Sequence, residues 1–115
     1  SSVHLEQSYK FKKFRDIEVY IRKHSNEPLV SLKDIASKFN INEYKLKKGF
    51  KELYQTSVFK YHLRSRLTHA LQLIINTTDR LSAISQKTGF KNYVHFAQAF
   101  KKEFGVSPSH HRKQK

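Results

Sequence analysis

Two stretches of this chain repeat each other, and the repeat limits the folds open to it. Ile35 and Ile41 stand six residues apart, as do Ile84 and Phe90, at an offset of 49. Further on, Leu46, Phe50, Lys51 and Tyr54 match Phe96, Phe100, Lys101 and Phe104 at an offset of 50. Within each copy the apolar residues recur at three and four positions, the period of a helix with one buried face. Three glycines and two prolines in 115 residues leave few breaks, so the reading is all-α, with about seven helices.

The elements follow from local signals. Phe11, Phe14, Ile17 and Ile21 form the stripe of a first helix that closes near His24, before Asn26 and Pro28. Ser31 with Asp34 has the capping-box spacing, and Leu32, Ile35, Ala36 and Phe39 face inward from a short helix. After Asn40-Ile41-Asn42, a longer helix carries Leu46, Phe50, Leu53 and Tyr54. Thr56 or Ser57 starts a helix of about 19 residues, roughly 28 Å, with Val58, Tyr61, Leu63, Leu67, Ala70, Leu71, Ile74 and Ile75 inside.

The second copy opens with Asp79 as cap and Leu81, Ile84, Ser85 and Thr88 as the inward face. Gly89-Phe90 then takes the place of Asn40-Ile41 at the turn. Its long helix, Asn92 to Phe104, turns Phe96, Ala99 and Phe100 inward, and one extra residue enters at its start. Gly105 supplies a left-handed end, and Ser107-Pro108 caps a final turn. The expected divisions are residues 1–28 as N-terminal segment and first helix, 29–56 and 77–115 as two helix-turn-helix lobes, and 57–76 as a linker helix.

Charge narrows the partner. With 23 Lys and Arg against 9 Asp and Glu, the net charge is +14, and only three of the acidic residues lie beyond position 50. A folded basic chain points to nucleic acid first, then to an anionic membrane surface or an acidic protein. There is no cysteine, and the histidines make no metal cluster with paired ligands, so neither a metal nor another cofactor is expected. The longest wholly apolar run is Leu73 to Ile75, so a soluble, cytoplasmic protein without a membrane partner is expected. No nucleophile elbow, phosphate loop or paired acidic metal site is found, which argues against an enzyme.

In a helix-turn-helix the second helix enters the DNA major groove and the first braces it. In the first copy, Leu46 and Phe50 hold the helix and leave Tyr44, Lys45, Lys47, Lys48 and Lys51 as DNA-binding candidates. In the second, Phe96 and Phe100 hold it and leave Asn92, Tyr93, Val94, His95, Gln98, Lys101 and Lys102. Gln98 has the donors and acceptor to read adenine, lysines suit phosphate or guanine, and Asn92 is better placed as a helix cap than as a base reader. Arg66, Arg80 and Arg112 are candidates for backbone contact or support. The alternative is a helical protein-interaction module with non-specific nucleic-acid affinity.

The residues Ile84, Gly89-Phe90, Phe96, Phe100-Lys101-Lys102, Phe104-Gly105-Val106-Ser107-Pro108 and Arg112 resemble the signature of the AraC/XylS (arabinose-regulator) family of bacterial transcription regulators. Ile35-Ala36, Leu46, Phe50-Lys51, Leu63, Arg66-Leu67 and Ala70 extend the resemblance into the first half. Departures are Gln55 in place of a common glycine, Ser85 for alanine, His111 for an aromatic, and Gln98 for a frequent arginine. The resemblance implies two recognition helices in successive major grooves of an operator and a structural role for Arg66. It also implies RNA polymerase as a partner, and a separate sensory or dimerisation domain that would make this chain a piece of a longer regulator.

Overall fold

A computed structural model describes residues 2–113, and among them there are seven helices and no strand. They are α1 (Ser2–Lys23), α2 (Leu32–Lys38), α3 (Glu43–Tyr54), α4 (Val58–Asn76), α5 (Leu81–Lys87), α6 (Tyr93–Phe104) and α7 (Pro108–Lys113). They build two compact units. One takes α1 with Leu29–His62, and the other takes Ser25–Pro28 with the chain from Leu63 onward. The boundary falls within α4, whose first turn gives Val58 and Tyr61 to the first core while Leu67, Ala70 and Ile74 fill the second.

The first unit closes on Phe14, Ile17 and Ile21 of α1, Ile35 and Ala36 of α2, and Leu46 and Phe50 of α3. Phe11, expected on the same stripe, is 55% exposed. At 100° per residue it lies about 90° round the helix from the direction shared by Phe14, Ile17 and Ile21. Gly49 is the point of closest approach, because a Cβ there would collide with the Phe14 ring. The second unit repeats this plan with α4, α5 and α6. Leu67, Ala70 and Ile74 follow Phe14, Ile17 and Ile21 at one offset of 53, so α4 serves lobe two as α1 serves lobe one. Ile75, expected inside, is 40% exposed because it lies about 100° round α4 from this stripe; Leu63, one turn before Leu67 and in line with the stripe, is 38% exposed.

Both turns stop their helices in the same way. The Ile41 amide donates to the Ala36 carbonyl and the Asn40 amide to Ser37; in the second copy Phe90 donates to Ser85 and Gly89 to Gln86. This double bond pattern requires a left-handed residue after the helix, here Asn40 at φ 52° and Gly89 at φ 95°. Gly89 has a second constraint, since a Cβ would sit 2.5 Å from the Asn26 carbonyl oxygen. The extra residue of the second copy is Lys91, exposed in the turn before the Asn92 cap.

Side-chain caps start five of the helices. Ser31 Oγ accepts from the Asp34 amide, Asn42 from Tyr44 and Lys45, Ser57 from Lys60, Asn92 from His95, and Ser107 from His110. Between the two residues considered for the start of α4, Ser57 is the cap and Thr56 is buried. Asp79 does not cap α5. The cap position is Arg80, which makes no side-chain capping bond, while the Asp79 carboxylate takes Lys87 Nζ at 2.9 Å.

Tyr61 Oη donates to Glu18 Oε1 at 2.5 Å and Arg22 Nε donates to the same oxygen at 2.8 Å. Burial alone would raise the Glu18 carboxyl, but the bonds from Arg22 and Tyr61 outweigh it and hold it below its ordinary 4.5. Burial, then the Glu18 bond, pushes the Tyr61 phenol up to about 12. Glu18 therefore contributes stability above its ordinary value that is lost as pH falls through the lowered one. Tyr61 contributes below its ordinary 10, and that part is lost as pH rises toward about 12. Melting temperatures measured against pH should fall at both ends, and Tyr61→Phe should flatten both losses.

Phe50 and Phe100 are both fully buried. Replacing either with alanine should cost about 3 to 5 kcal/mol, a large part of the roughly 5 to 15 kcal/mol that holds a small domain folded. Circular dichroism melts of the two variants should both show a lowered transition.

Candidate nucleic-acid interface

Helices α3 and α6 each run 12 residues, and each ends on a left-handed residue, Gln55 at φ 60° and Gly105 at φ 84°. Gln55 thus adopts the conformation that favours glycine at that position, and its side-chain amide donates to the Glu52 carbonyl at 2.9 Å. Each helix presents its opposite face outward because aromatic side chains fix its inner one. Phe50 packs among Tyr54 and Tyr61 with ring centroids 4.7 and 5.4 Å away. Phe100 lies between Phe96 and Phe104 at 5.8 and 4.7 Å.

On α3, Tyr44, Lys45, Lys47, Lys48 and Lys51 are all exposed. Tyr44, Lys48 and Lys51 form one stripe, at spacings of four and three, with Lys47 beside it and Lys45 about 100° round from Tyr44. On α6 the same spacing aligns Val94, Gln98 and Lys101, with His95 and Lys102 on one flank, and all five are exposed. The two stripes correspond residue for residue at the offset of 50. Tyr93 stands apart from its stripe. It is 39% exposed and its ring lies 5.7 Å from Phe96, so it borders the core. Asn92 spends its side-chain oxygen on the His95 amide at 3.2 Å, which makes it the cap of α6.

The three supporting arginines separate. Arg66 donates from Nε to the Ser25 carbonyl and from Nη2 to the Glu27 carbonyl, both at 2.8 Å, with its guanidinium 5.2 Å from the Phe90 ring. Burial lowers its pKa, and the side chain holds the Ser25–Pro28 segment against the second turn. Arg112, expected as a candidate for backbone contact or support, is turned inward. Its guanidinium donates to the carbonyls of Asp79, Thr77 (3.2 Å) and Ile74 (3.4 Å), tying α7 to the end of α4. Arg80 remains exposed at the start of α5. The carbonyl cluster that Arg112 meets was not legible in the sequence, because backbone carbonyls at and beyond a helix end leave no mark in side-chain pattern.

Among the described residues no helix is long and apolar enough to cross a membrane, and no group of three or more His, Asp or Glu side chains could hold a metal.

The chain belongs to the helix-turn-helix domain family, whose pattern matches residues 35–114. It is 35% identical over 83 residues to the lactose operon transcription activator of Staphylococcus xylosus, covering 72% of this chain and 30% of that protein. It is 36% identical over 81 residues to the Msm operon regulatory protein of Streptococcus mutans, covering 70% and 29%. The chain thus spans less than a third of either relative. Among solved structures it resembles a transcriptional regulator of Chromobacterium violaceum described as having an AraC-type DNA-binding domain, with a TM-score of 0.83, 28% identity, and 93% and 95% of the two chains covered. The C-terminal domain of the response regulator AraT from Geobacillus stearothermophilus gives 0.81 at 26% identity, with 90% and 85% covered. These relatives are transcription regulators rather than enzymes.

Arg112→Gln should lower the melting temperature by removing the guanidinium bonds that tie α7 to the carbonyls of Thr77 and Asp79. In DNA titrations carried out below that melting temperature, its salt slope should match that of the wild-type chain.

Proposed function

We propose that this chain is the DNA-binding module of a bacterial transcription regulator of the AraC/XylS type, and that it recognises specific double-stranded operator sequences through α3 and α6 in successive major grooves. The observation that carries this reading is the matched pair of exposed stripes, Tyr44–Lys48–Lys51 and Val94–Gln98–Lys101, each mounted on fully buried aromatic side chains. A stripe with a fixed inner face can meet base edges in one register, which specific readout requires. Difference within the pair supports a division of labour. The first stripe carries two lysines, suited to phosphate and guanine, whereas the second carries an amide at Gln98 between an apolar Val94 and a basic Lys101.

In this reading Gln98 contacts an adenine edge, Val94 meets a thymine methyl, and Lys101, Lys102 and Arg80 grip phosphate. Tyr44, Lys47 and Lys48 meet bases or backbone in the first groove, with Lys51 farther along the helix. The module acts in the cytoplasm within a longer regulator that carries a sensory or dimerisation domain, and RNA polymerase is its second macromolecular partner.

Footprinting on a bound duplex tests the two-groove form: protection should lie on one helical face with two centres about 10 base pairs apart. One protected groove at one-to-one stoichiometry would overturn it. Gln98→Ala should cost about 1 to 3 kcal/mol on the preferred duplex and much less on one changed at the contacted adenine. Lys101→Ala should weaken all duplexes alike and lower the salt slope by about one. Equal losses on both duplexes for Gln98→Ala would reject base reading by that residue.

A further inference from the structure

We propose that the first lobe holds DNA with a third element besides its helix-turn-helix: the N-terminal part of α1, whose Lys10 and Lys13 take the phosphate ridge beside α3. The inference rests on the DNA-binding reading above and adds a contact that the helix-turn-helix repeat does not contain, since α1 precedes it.

A cleft of about 380 Å³ opens between α1 and α3, with Phe14, Ile41 and Gly49 as its floor and Lys10, Lys45 and Lys48 on its rim. A shallower depression adjoins it, and there Tyr9, Lys10 and Lys13 face Asn40, Asn42 and Lys45. Lys13 is steered toward the turn by its bond to the Asn40 carbonyl at 3.2 Å. Four lysines from two elements therefore converge, and Glu52 is the one carboxylate among the residues lining the two hollows. Gathering like charges costs free energy in the unbound chain, and a polyanion at that place reverses the sign of the cost.

The placement selects DNA phosphate as the occupant. The Tyr44–Lys48–Lys51 stripe is the side of α3 directed at base edges, and Lys45 lies about 100° round from its leading residue. A helix about 10 to 12 Å across nearly fills a major groove about 12 Å wide, so a flank at that angle meets a phosphate ridge. The cleft puts α1 on the Lys45 flank. Gly49 permits the approach, because any Cβ there would collide with the buried Phe14 ring of α1.

The test compares wild type, Lys10→Gln/Lys13→Gln and a control, Lys12→Gln/Lys23→Gln, which removes the same charge from α1. Lys12 lies about 200° round α1 from Lys10 and sits 3.5 Å from Asp16. Each protein is titrated against a selected and a scrambled duplex between 50 and 200 mM salt. The Lys10/Lys13 variant should bind both duplexes more weakly, keep the wild-type ratio between them, and lose between one and two from the salt slope, so that its deficit shrinks up to about tenfold across that range. The control should keep a slope close to wild type.

Equal slope losses in the two variants would overturn the proposal, since the effect would then be diffuse charge. Unchanged DNA slopes accompanied by lost binding of a polyglutamate peptide would overturn it in favour of an acidic protein partner. Should the double variant melt lower, Lys10→Gln alone carries the test, with an expected slope loss of about one; an unchanged slope overturns the contact. A wild-type chain that binds both duplexes equally would defeat the specific-recognition reading while the slope comparison still decides the α1 contact.

Discussion

A helix of seven residues has no stability of its own in water, and one of 12 is marginal, so both helix-turn-helix units exist only through what their inner faces bury. Phe50, Phe96 and Phe100 are the largest fully buried side chains of those faces. Each sits on the longer helix of its unit and touches aromatic neighbours one turn away on the same helix. Because the inner face is filled by rings of fixed shape, the helix cannot rotate without opening a cavity. The direction of Lys48 or Gln98 is therefore set by side chains on the opposite face.

The same plan is secured differently in the two units. The first places Phe14 against Gly49 and links α1 to α4 through the Tyr61–Glu18–Arg22 bonds. In the second, Leu67 and Ala99 occupy the corresponding positions, so a smaller side chain on the first helix is met by a larger one on the third. Its loose ends are gathered by arginines: Arg66 takes the carbonyls of Ser25 and Glu27, and Arg112 takes those at the end of α4. These two arginines thus serve the fold, with their guanidinium groups engaged by backbone carbonyls.

Much of this could be read in the residues because it is local. Periodicity at three and four located the helices, and polar residues at fixed offsets located caps at Ser31, Asn92 and Ser107 and narrowed the start of α4 to Thr56 or Ser57. The left-handed end at Gly105 followed from residue type, whereas the positive φ at Asn40, Gln55 and Gly89 is set by the turn hydrogen bonds and was not legible in the residues. Errors arose where two local solutions compete. Asp79 has the chemistry of a cap but pairs with Lys87, and Phe11 has the character of a core residue but lies off the stripe. The role of Arg112 and the lysine-rimmed cleft beside α3 depend on contacts 27 to 38 residues apart in sequence, which no short pattern encodes.

In the proposed function the two stripes read sequence rather than charge alone. Selection of binding sites from a randomised duplex pool tests that claim most directly. It should yield one motif with two conserved blocks whose centres lie about one helical turn apart. A pool that stays random through repeated rounds, while binding remains steeply dependent on salt, would contradict it.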